Sequence, residues 1–264
     1  MSPMQKAFKS KAGSKKPKAA PKPAEPVLTP AEQALTEWGI AYTKQPDGWL
    51  LVEGDLNISK KKLKELPDLT RVRVTGSFDC SHNELTSLKG APQDVGLHFI
   101  CYVNKLETLE GAPPEVKGNF WAGRNNLPNL KFSPRKIGIS FTCGRNKIKS
   151  LEYGPEEVGL NYSCGDNDLA SFDHAPAKLG GDFWCLRIPG IKTLEGAPKT
   201  FGKLTSDFGT FASWNDIPAT LRVSPETLDK IMTGTTVLEE KMHVSKPLRL
   251  RMPSRSEWVK ILTS

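Results

Sequence analysis

The sequence lacks the long apolar run that a membrane-spanning helix needs. No stretch approaches the roughly 20 residues required to cross a bilayer. The lysine-rich N-terminus also lacks the apolar segment of a secretory signal. We therefore expect no membrane span and a cytoplasmic location.

Patterns that carry enzymatic or metal chemistry are also missing. The four histidines form no H-x-x-x-H arrangement, and neither a G-x-x-x-x-G-K-[ST] loop nor a G-x-S-x-G motif occurs. The five cysteines stand at least 21 residues apart, whereas structural zinc sites use close pairs such as C-x-x-C. We predict no catalytic residue, no metal site, no cofactor and no enzymatic activity.

Positive charge is concentrated at the two ends of the chain, whose net charge is +8. Residues 241–264 carry six Lys or Arg against one acid, and residues 1–24 carry seven lysines and no acid. These seven are Lys6, Lys9, Lys11, Lys15, Lys16, Lys18 and Lys22. Residues 1–28 are predicted to form a disordered basic tail. Such a tail can bind nucleic acid or an acidic surface, or serve only as a solubilising segment.

A 21-residue period organises the middle of the chain. An aromatic residue recurs at this interval, a cysteine usually follows two residues later, and an asparagine follows three residues after that. The aromatic column is Phe78, Phe99, Phe120, Phe141, Tyr162 and Phe183. The asparagine column is Asn83, Asn104, Asn125, Asn146 and Asn167. Columns in register over this many repeats indicate a solenoid.

Each column has a predicted place in the coil. The aromatic residue and the cysteine both point inward from a short strand, because side chains two apart share a face. The cysteines then act as small core residues instead of ligands or disulfide partners. The asparagine binds backbone groups of neighbouring coils, two further leucine or isoleucine positions return to the core, and proline with valine or isoleucine forms an outer wall.

The lines FDCSHNEL, FICYVNKL, FTCGRNKI and YSCGDNDL resemble the leucine-rich repeat core L-x-L-x-x-N-x-L, and a 21-residue unit fits that family. With G-A-P and V-G later in the unit, they are most similar to the short-period repeats of bacterial and bacteriophage proteins. The resemblance implies an α/β solenoid with a parallel β-sheet on its concave face. It implies few or no regular helices on the convex side and short helical caps at both ends. It also implies a host-cell cytoplasmic location for a phage-encoded chain, or a place in the virion.

The departures from the repeat divide the chain into four predicted segments. They are a disordered basic tail (1–28), an N-terminal cap with a helix and an irregular first coil (29–76), a solenoid of six 21–22-residue coils (77–203), and a C-terminal cap with a basic tail (204–264). Thr29-Pro30-Ala31-Glu32 predicts the first helix, with Thr29 as N-cap and Glu32 completing a capping box. Two further helices are predicted at 225–232 and 255–262.

The positions that flank the inward pair point out of the predicted sheet and define a candidate surface. Tryptophan, tyrosine and arginine, which are enriched in binding hot spots, recur there. The predicted partner-binding residues are Ile100, Tyr102, Trp121, Arg124, Arg145, Trp184, Leu186 and Arg187. The alternative is that the two tryptophans fold back onto the rim or pack beneath residues 205–264.

Two functions follow from these features. The first is a non-enzymatic protein that binds a protein partner through the concave sheet. The alternative is a nucleic-acid-associated protein, or a structural component of a virion or other assembly, anchored by its basic N- and C-terminal segments. The two differ in salt response, since binding to phosphates weakens steeply as salt rises.

Overall fold

The computed structural model describes residues 27–176, 179–224, 226–227 and 229–230. The seven tail lysines, residues 241–264 and the predicted helix at 255–262 lie outside the described residues. Four of the eight residues of the helix predicted at 225–232 also lie outside them, and the other four, 226–227 and 229–230, are helical. The elements in chain order are α1 (Pro30–Glu37), β1 (Thr43–Lys44), β2 (Leu50–Val52), β3 (Leu56–Asn57), β4 (Val72–Val74), β5 (Phe78–Asp79), β6 (Asp94–Val95), β7 (Phe99–Ile100), β8 (Glu115–Val116), β9 (Phe120–Trp121), β10 (Lys136–Ile137), β11 (Phe141–Thr142), β12 (Glu157–Val158), β13 (Tyr162–Ser163), β14 (Phe183–Cys185), β15 (Leu204–Ser206), β16 (Gly209–Phe211), a 3₁₀ turn (Trp214–Asp216) and α2 (Ala219–Arg222).

The strands form a parallel β-solenoid of about seven turns. One sheet of nine strands, here called the long sheet, has the order β16-β15-β14-β13-β11-β9-β7-β5-β3. All its pairings are parallel except that of β16 with β15. Two shorter sheets, β1-β2-β4-β6 and β8-β10-β12, form a second line of strands that we call the wall. Each coil therefore contributes one short strand to the long sheet and, in most coils, one to the wall.

The inward columns form one continuous core, as predicted. All six aromatic residues of the repeat are buried, and successive rings lie 5.0 to 6.0 Å apart between centroids. All five cysteines are buried and free, and burial raises the pKa of their thiols. The cysteine column is therefore apolar packing between coils, without disulfide bonds.

The asparagine column forms the predicted ladder between coils. Asn125 is typical: its Nδ2 donates to the carbonyls of Cys101 and Ala122, both at 3.1 Å, and its Oδ1 accepts from the N–H of Leu106 at 3.1 Å. The N–H of Leu106 has no other partner among the described residues, whereas each of the two carbonyls also accepts from a neighbouring asparagine of the column, so the ladder as a whole keeps these buried backbone groups bonded. Ile188 occupies the asparagine position of the coil that begins at Phe183. There the carboxylate of Asp207 accepts from the N–H groups of Arg187 and Ile188 instead, at 2.9 and 3.1 Å.

The N-terminal end of the core is covered by α1, which begins as predicted. Thr29 Oγ1 accepts from the N–H of Glu32 at 3.3 Å, and the Glu32 carboxylate accepts from the N–H of Thr29 at 2.7 Å. The helix places Leu35 fully into the core. At the other end β15 and β16 form an antiparallel hairpin, which the sequence did not predict.

The solenoid class and the scarcity of helices agree with the prediction, and the solenoid is built of β-strands. The α-helices α1 and α2 have 8 and 4 residues and lie near the two ends of the solenoid. The outer wall predicted for the proline and valine or isoleucine columns contains short strands. Val95, Val116, Ile137 and Val158 point inward from them and are buried. In the described part of the chain, no helix combines the length and apolar character needed to cross a membrane.

Candidate binding groove

A groove of about 450 Å³ runs along the outer face of the long sheet. Strand alternation produces it: because the aromatic residue and the residue two positions later point inward, the residues between and beyond them point outward. The groove is lined by Tyr102, Trp121, Gly123, Arg124, Thr142, Gly144, Arg145, Ser163, Gly165, Asp166, Trp184, Leu186 and Arg187.

Two tryptophans mark the ends of the groove. Trp121, Thr142, Ser163 and Trp184 lie in register on four successive strands, β9, β11, β13 and β14. Tryptophan therefore stands at both ends of this row, and two small hydroxyl side chains stand between them. At a strand spacing of about 4.8 Å, the three steps separate the two tryptophan positions by about 14 Å.

Glycines make the floor of the groove between the tryptophans. Gly123, Gly144 and Gly165 occupy one column in three successive coils, where the flanking coils carry Tyr102 and Leu186. A Cβ atom at Gly144 would lie 3.0 Å from the carbonyl oxygen of Gly165, tighter than ordinary contact. The missing side chains leave a depression bounded by larger residues on both sides.

Charged residues form one rim of the groove and have an unusual backbone conformation. Arg124, Arg145, Asp166 and Arg187 all have a positive φ, between 55° and 59°. This left-handed conformation costs an L-residue roughly 1–2 kcal/mol, and only glycine adopts it freely. The coil geometry imposes the conformation, yet the chain places long charged side chains at this position.

The rim carries a net positive charge. Asp166 accepts a hydrogen bond from Arg187 Nη2 at 2.6 Å, and its carboxylate lies 3.5 Å from Arg145 Nε. The hydrogen bond from Arg187 holds the pKa of Asp166 below its ordinary value. Arg124 has no ion-pair partner among the residues that the structure describes. One carboxylate is therefore shared by two of the three guanidinium groups, and the third is unpaired within the described ranges.

The tryptophans are accessible. Trp184 is 40% exposed, and Trp121 is half-buried with one ring face stacked on His98 at a centroid distance of 6.1 Å. Both indoles line the groove, and neither is sealed beneath the described part of the segment 205–264, which was one branch of the alternative prediction.

Seven of the eight residues predicted for the surface line this groove; Ile100 does not. Ile100 pairs in register with Trp121 on the neighbouring strand, beyond the end of the groove. Sequence reasoning predicted the tryptophans and arginines but missed the glycine floor and the bridging role of Asp166. The run of glycine in one column of three coils was a usable signal for the floor.

The column just before each aromatic residue was read as surface, but it is structural. Its short side chains accept hydrogen bonds from the backbone of the next coil: Asn119 Oδ1 accepts from the N–H of Ser140 at 3.0 Å, and Asn161 Oδ1 accepts from the N–H of Asp182 at 2.8 Å. His98 does the same through Nδ1, which accepts from the N–H of Asn119 at 3.0 Å. These residues hold coils together along one side of the long sheet.

Other parts of the molecule offer less. A cavity of about 500 Å³ lies beside α1, but the Glu32 carboxylate at its edge is paired with Lys44, which lowers the pKa of Glu32. Across the described ranges, no cluster of three His, Cys, Asp or Glu side chains could hold a metal ion. The groove is therefore the best candidate site.

Comparison of the chain with protein-family profiles, curated proteins and solved structures gave no match. The function has to be argued from the groove itself.

Proposed function

We propose that this protein is a non-enzymatic binding protein whose groove on the long sheet holds a protein partner. One observation carries the proposal: two accessible tryptophans and three arginines meet around an open glycine floor. Aromatic and arginine side chains dominate the energetics of protein interfaces. A groove between them offers the concave shape that such anchors need.

We also propose that the solenoid is a short-period leucine-rich repeat of the bacterial and bacteriophage type. The asparagine ladder and the inward pairs agree with the L-x-L-x-x-N-x-L pattern. The wall of short strands, in place of helices, fits a repeat of only 21 residues, since so short a coil leaves little room for a helix.

Capture of partners from a lysate of the cells that make the protein tests the proposal. The bait proteins are the full chain, a groove variant (Trp121→Ala with Arg145→Ala) and a matched wall variant (Tyr153→Ala with Arg135→Ala). Tyr153 is an exposed aromatic residue outside the groove, and Arg135 is an exposed arginine beside wall strand β10. The groove variant should lose a protein that both the full chain and the wall variant retain.

The same experiment separates the basic tail from the groove. A chain without residues 1–26 should keep the partner, including at high salt. If the truncation removes all binding while the groove variant retains it, the tail is the binding element and the proposal is wrong.

A further inference from the structure

Building on the proposed function, we propose that the groove recognises an extended acidic peptide segment with two apolar anchors four residues apart. The segment lies along the solenoid axis, across the strands. One anchor sits at Trp121 and Tyr102, the other at Trp184 and Leu186, and a carboxylate near the first anchor meets Arg124 and Arg145.

The spacing follows from the sheet. The two tryptophan positions are three strand steps apart, about 14 Å, and an extended chain rises about 3.3 Å per residue. Four residues therefore span the distance from one indole to the other. The floor between them consists of glycine and small hydroxyl residues, so the intervening side chains of the ligand meet no obstruction.

The backbone of the floor cannot add the ligand as another strand. The N–H groups of Arg124 and Arg145 already donate to the carbonyls of Gly144 and Gly165, both at 2.9 Å, as part of the ladder between coils. Recognition must therefore come from side chains. The apolar anchors of the ligand and its carboxylate set the specificity. The aliphatic Leu186 beside Trp184 favours an apolar side chain over a sugar at that end.

The charge is asymmetric along the rim, which gives the ligand a direction. Asp166 accepts a hydrogen bond from Arg187 at 2.6 Å, and its carboxylate lies 3.5 Å from Arg145. Arg124, in contrast, has no ion-pair partner among the described residues. The unsatisfied positive charge thus lies beside Trp121. A carboxylate one or two positions after the first anchor would reach it, while the Trp184 end has its cation already neutralised.

Selection from a phage library of random dodecapeptides on the immobilised full chain tests the inference. The recovered peptides should share an apolar residue, an acidic residue one or two positions away, and a second apolar residue four positions from the first. Recovery should vanish on the Trp121→Ala variant. If nothing is enriched over that variant, or if basic or unspaced peptides are recovered, the inference is wrong.

Two rim variants sharpen the test with a synthetic peptide from the selection, using fluorescence anisotropy. Asp166→Asn should bind about three- to fivefold more tightly, because it removes the competitor for Arg145 and Arg187. Arg124→Glu should bind at least about tenfold more weakly, and melting curves show whether it stays folded. Arg124→Ala repeats the measurement if the charge reversal impairs folding. Unchanged or weaker binding by Asp166→Asn contradicts the inference.

A panel of immobilised acidic glycans, probed in parallel, tests the competing class of ligand. Glycan binding that depends on Trp121 would overturn the peptide assignment. If a protein partner is lost with the groove variant in the lysate experiment but acidic peptides are not selected, the proposed function stands and only this inference fails. If neither is found, both fail.

Discussion

The long sheet and the wall are built from the same coils but differ in how they treat outward charge. On the wall, charged residues of neighbouring coils pair with each other: Arg73 Nε lies 2.6 Å from Asp94, Lys136 Nζ lies 3.1 Å from Glu157, and Arg135 pairs with Glu156. In the groove of the long sheet, Arg124 lacks such a partner within the described ranges, and two indoles are accessible. Among the described residues, every charged residue of the wall strands except Glu115 has an ion-pair partner, whereas the groove leaves an arginine and two indoles available to another molecule.

The largest expected effect comes from breaking the frame that both surfaces share. Asn125→Ala would leave the buried N–H of Leu106 without its partner, at about 1–3 kcal/mol, and would remove one of two donors from each of two carbonyls, at about 0.5–1.5 kcal/mol per lost bond. We expect a loss of about 3 kcal/mol in the free energy of unfolding, measured by urea denaturation.

Asn126→Ala is the matched control, since the neighbouring asparagine is half-buried and its side chain makes no hydrogen bond to any described residue. It should change stability by less than about 0.5 kcal/mol. Equal losses in the two variants would contradict the role given to the ladder.

A second prediction concerns a size match inside the core. Tyr162 is the one tyrosine in the aromatic column, and its buried hydroxyl has no hydrogen-bond partner within the described ranges. A Cβ at Gly154 would lie 2.9 Å from the carbonyl oxygen of Leu151, 3.1 Å from Cδ1 of Leu130 and 3.3 Å from that hydroxyl oxygen. Other coils carry alanine or serine at the position of Gly154. Gly154→Ala should cost about 2 kcal/mol by overpacking, seen as a lower melting temperature.

Adding Tyr162→Phe should restore part of that stability, because it removes one of the three atoms that the new methyl group meets and gives the others room to shift. A double variant as unstable as Gly154→Ala alone would show that the hydroxyl does not set the size of residue 154.

The third prediction replaces an arginine by glycine on each surface, once on the groove rim and once beside the wall. Arg124→Gly should raise the free energy of unfolding by about 1 kcal/mol, because glycine adopts the left-handed backbone at φ 55° without strain. Arg135→Gly, beside wall strand β10, should lower it by about 0.5–1 kcal/mol. Chemical denaturation of both variants checks the opposite signs, and a loss at both positions would refute the argument.

The smallest effect is expected at the ion pairs of the wall. Lys136→Ala removes the exposed pair with Glu157 and should change stability by less than about 1 kcal/mol. Capture of the partner should stay unchanged. Partner loss in this variant would mean that the wall, and not only the groove, binds.

The inward half of the structure was predictable because it repeats. An aromatic residue and a cysteine two positions apart, recurring every 21 residues, can both be buried only if they point inward from one strand of each coil. The role of the asparagine that follows the strand was predictable from the buried backbone groups that it can bond. The helix cap at Thr29 and Glu32 was equally local. These features depend on neighbours at fixed sequence distance.

The outward half was predictable only in part. Trp121 and Trp184 could be assigned to one face by alternation, but the two-residue wall strands β6, β8, β10 and β12 have a single inward Val or Ile each and so show no alternation. The left-handed backbone of the rim was hidden because Arg, Asp and Val occupy it in place of glycine. The bridge from Asp166 to two arginines depends on side-chain directions that spacing does not give.

Site-selective blocking of the groove tests the central claim most directly. Ser163→Cys places one thiol between the tryptophans, and the five native cysteines are buried with raised thiol pKa values, so they should not react in the folded chain. A bulky maleimide should therefore label Ser163→Cys once and abolish capture of the partner. The same label on Glu157→Cys, on the wall, should leave capture intact. A protein that still binds its partner with the groove filled would contradict the account.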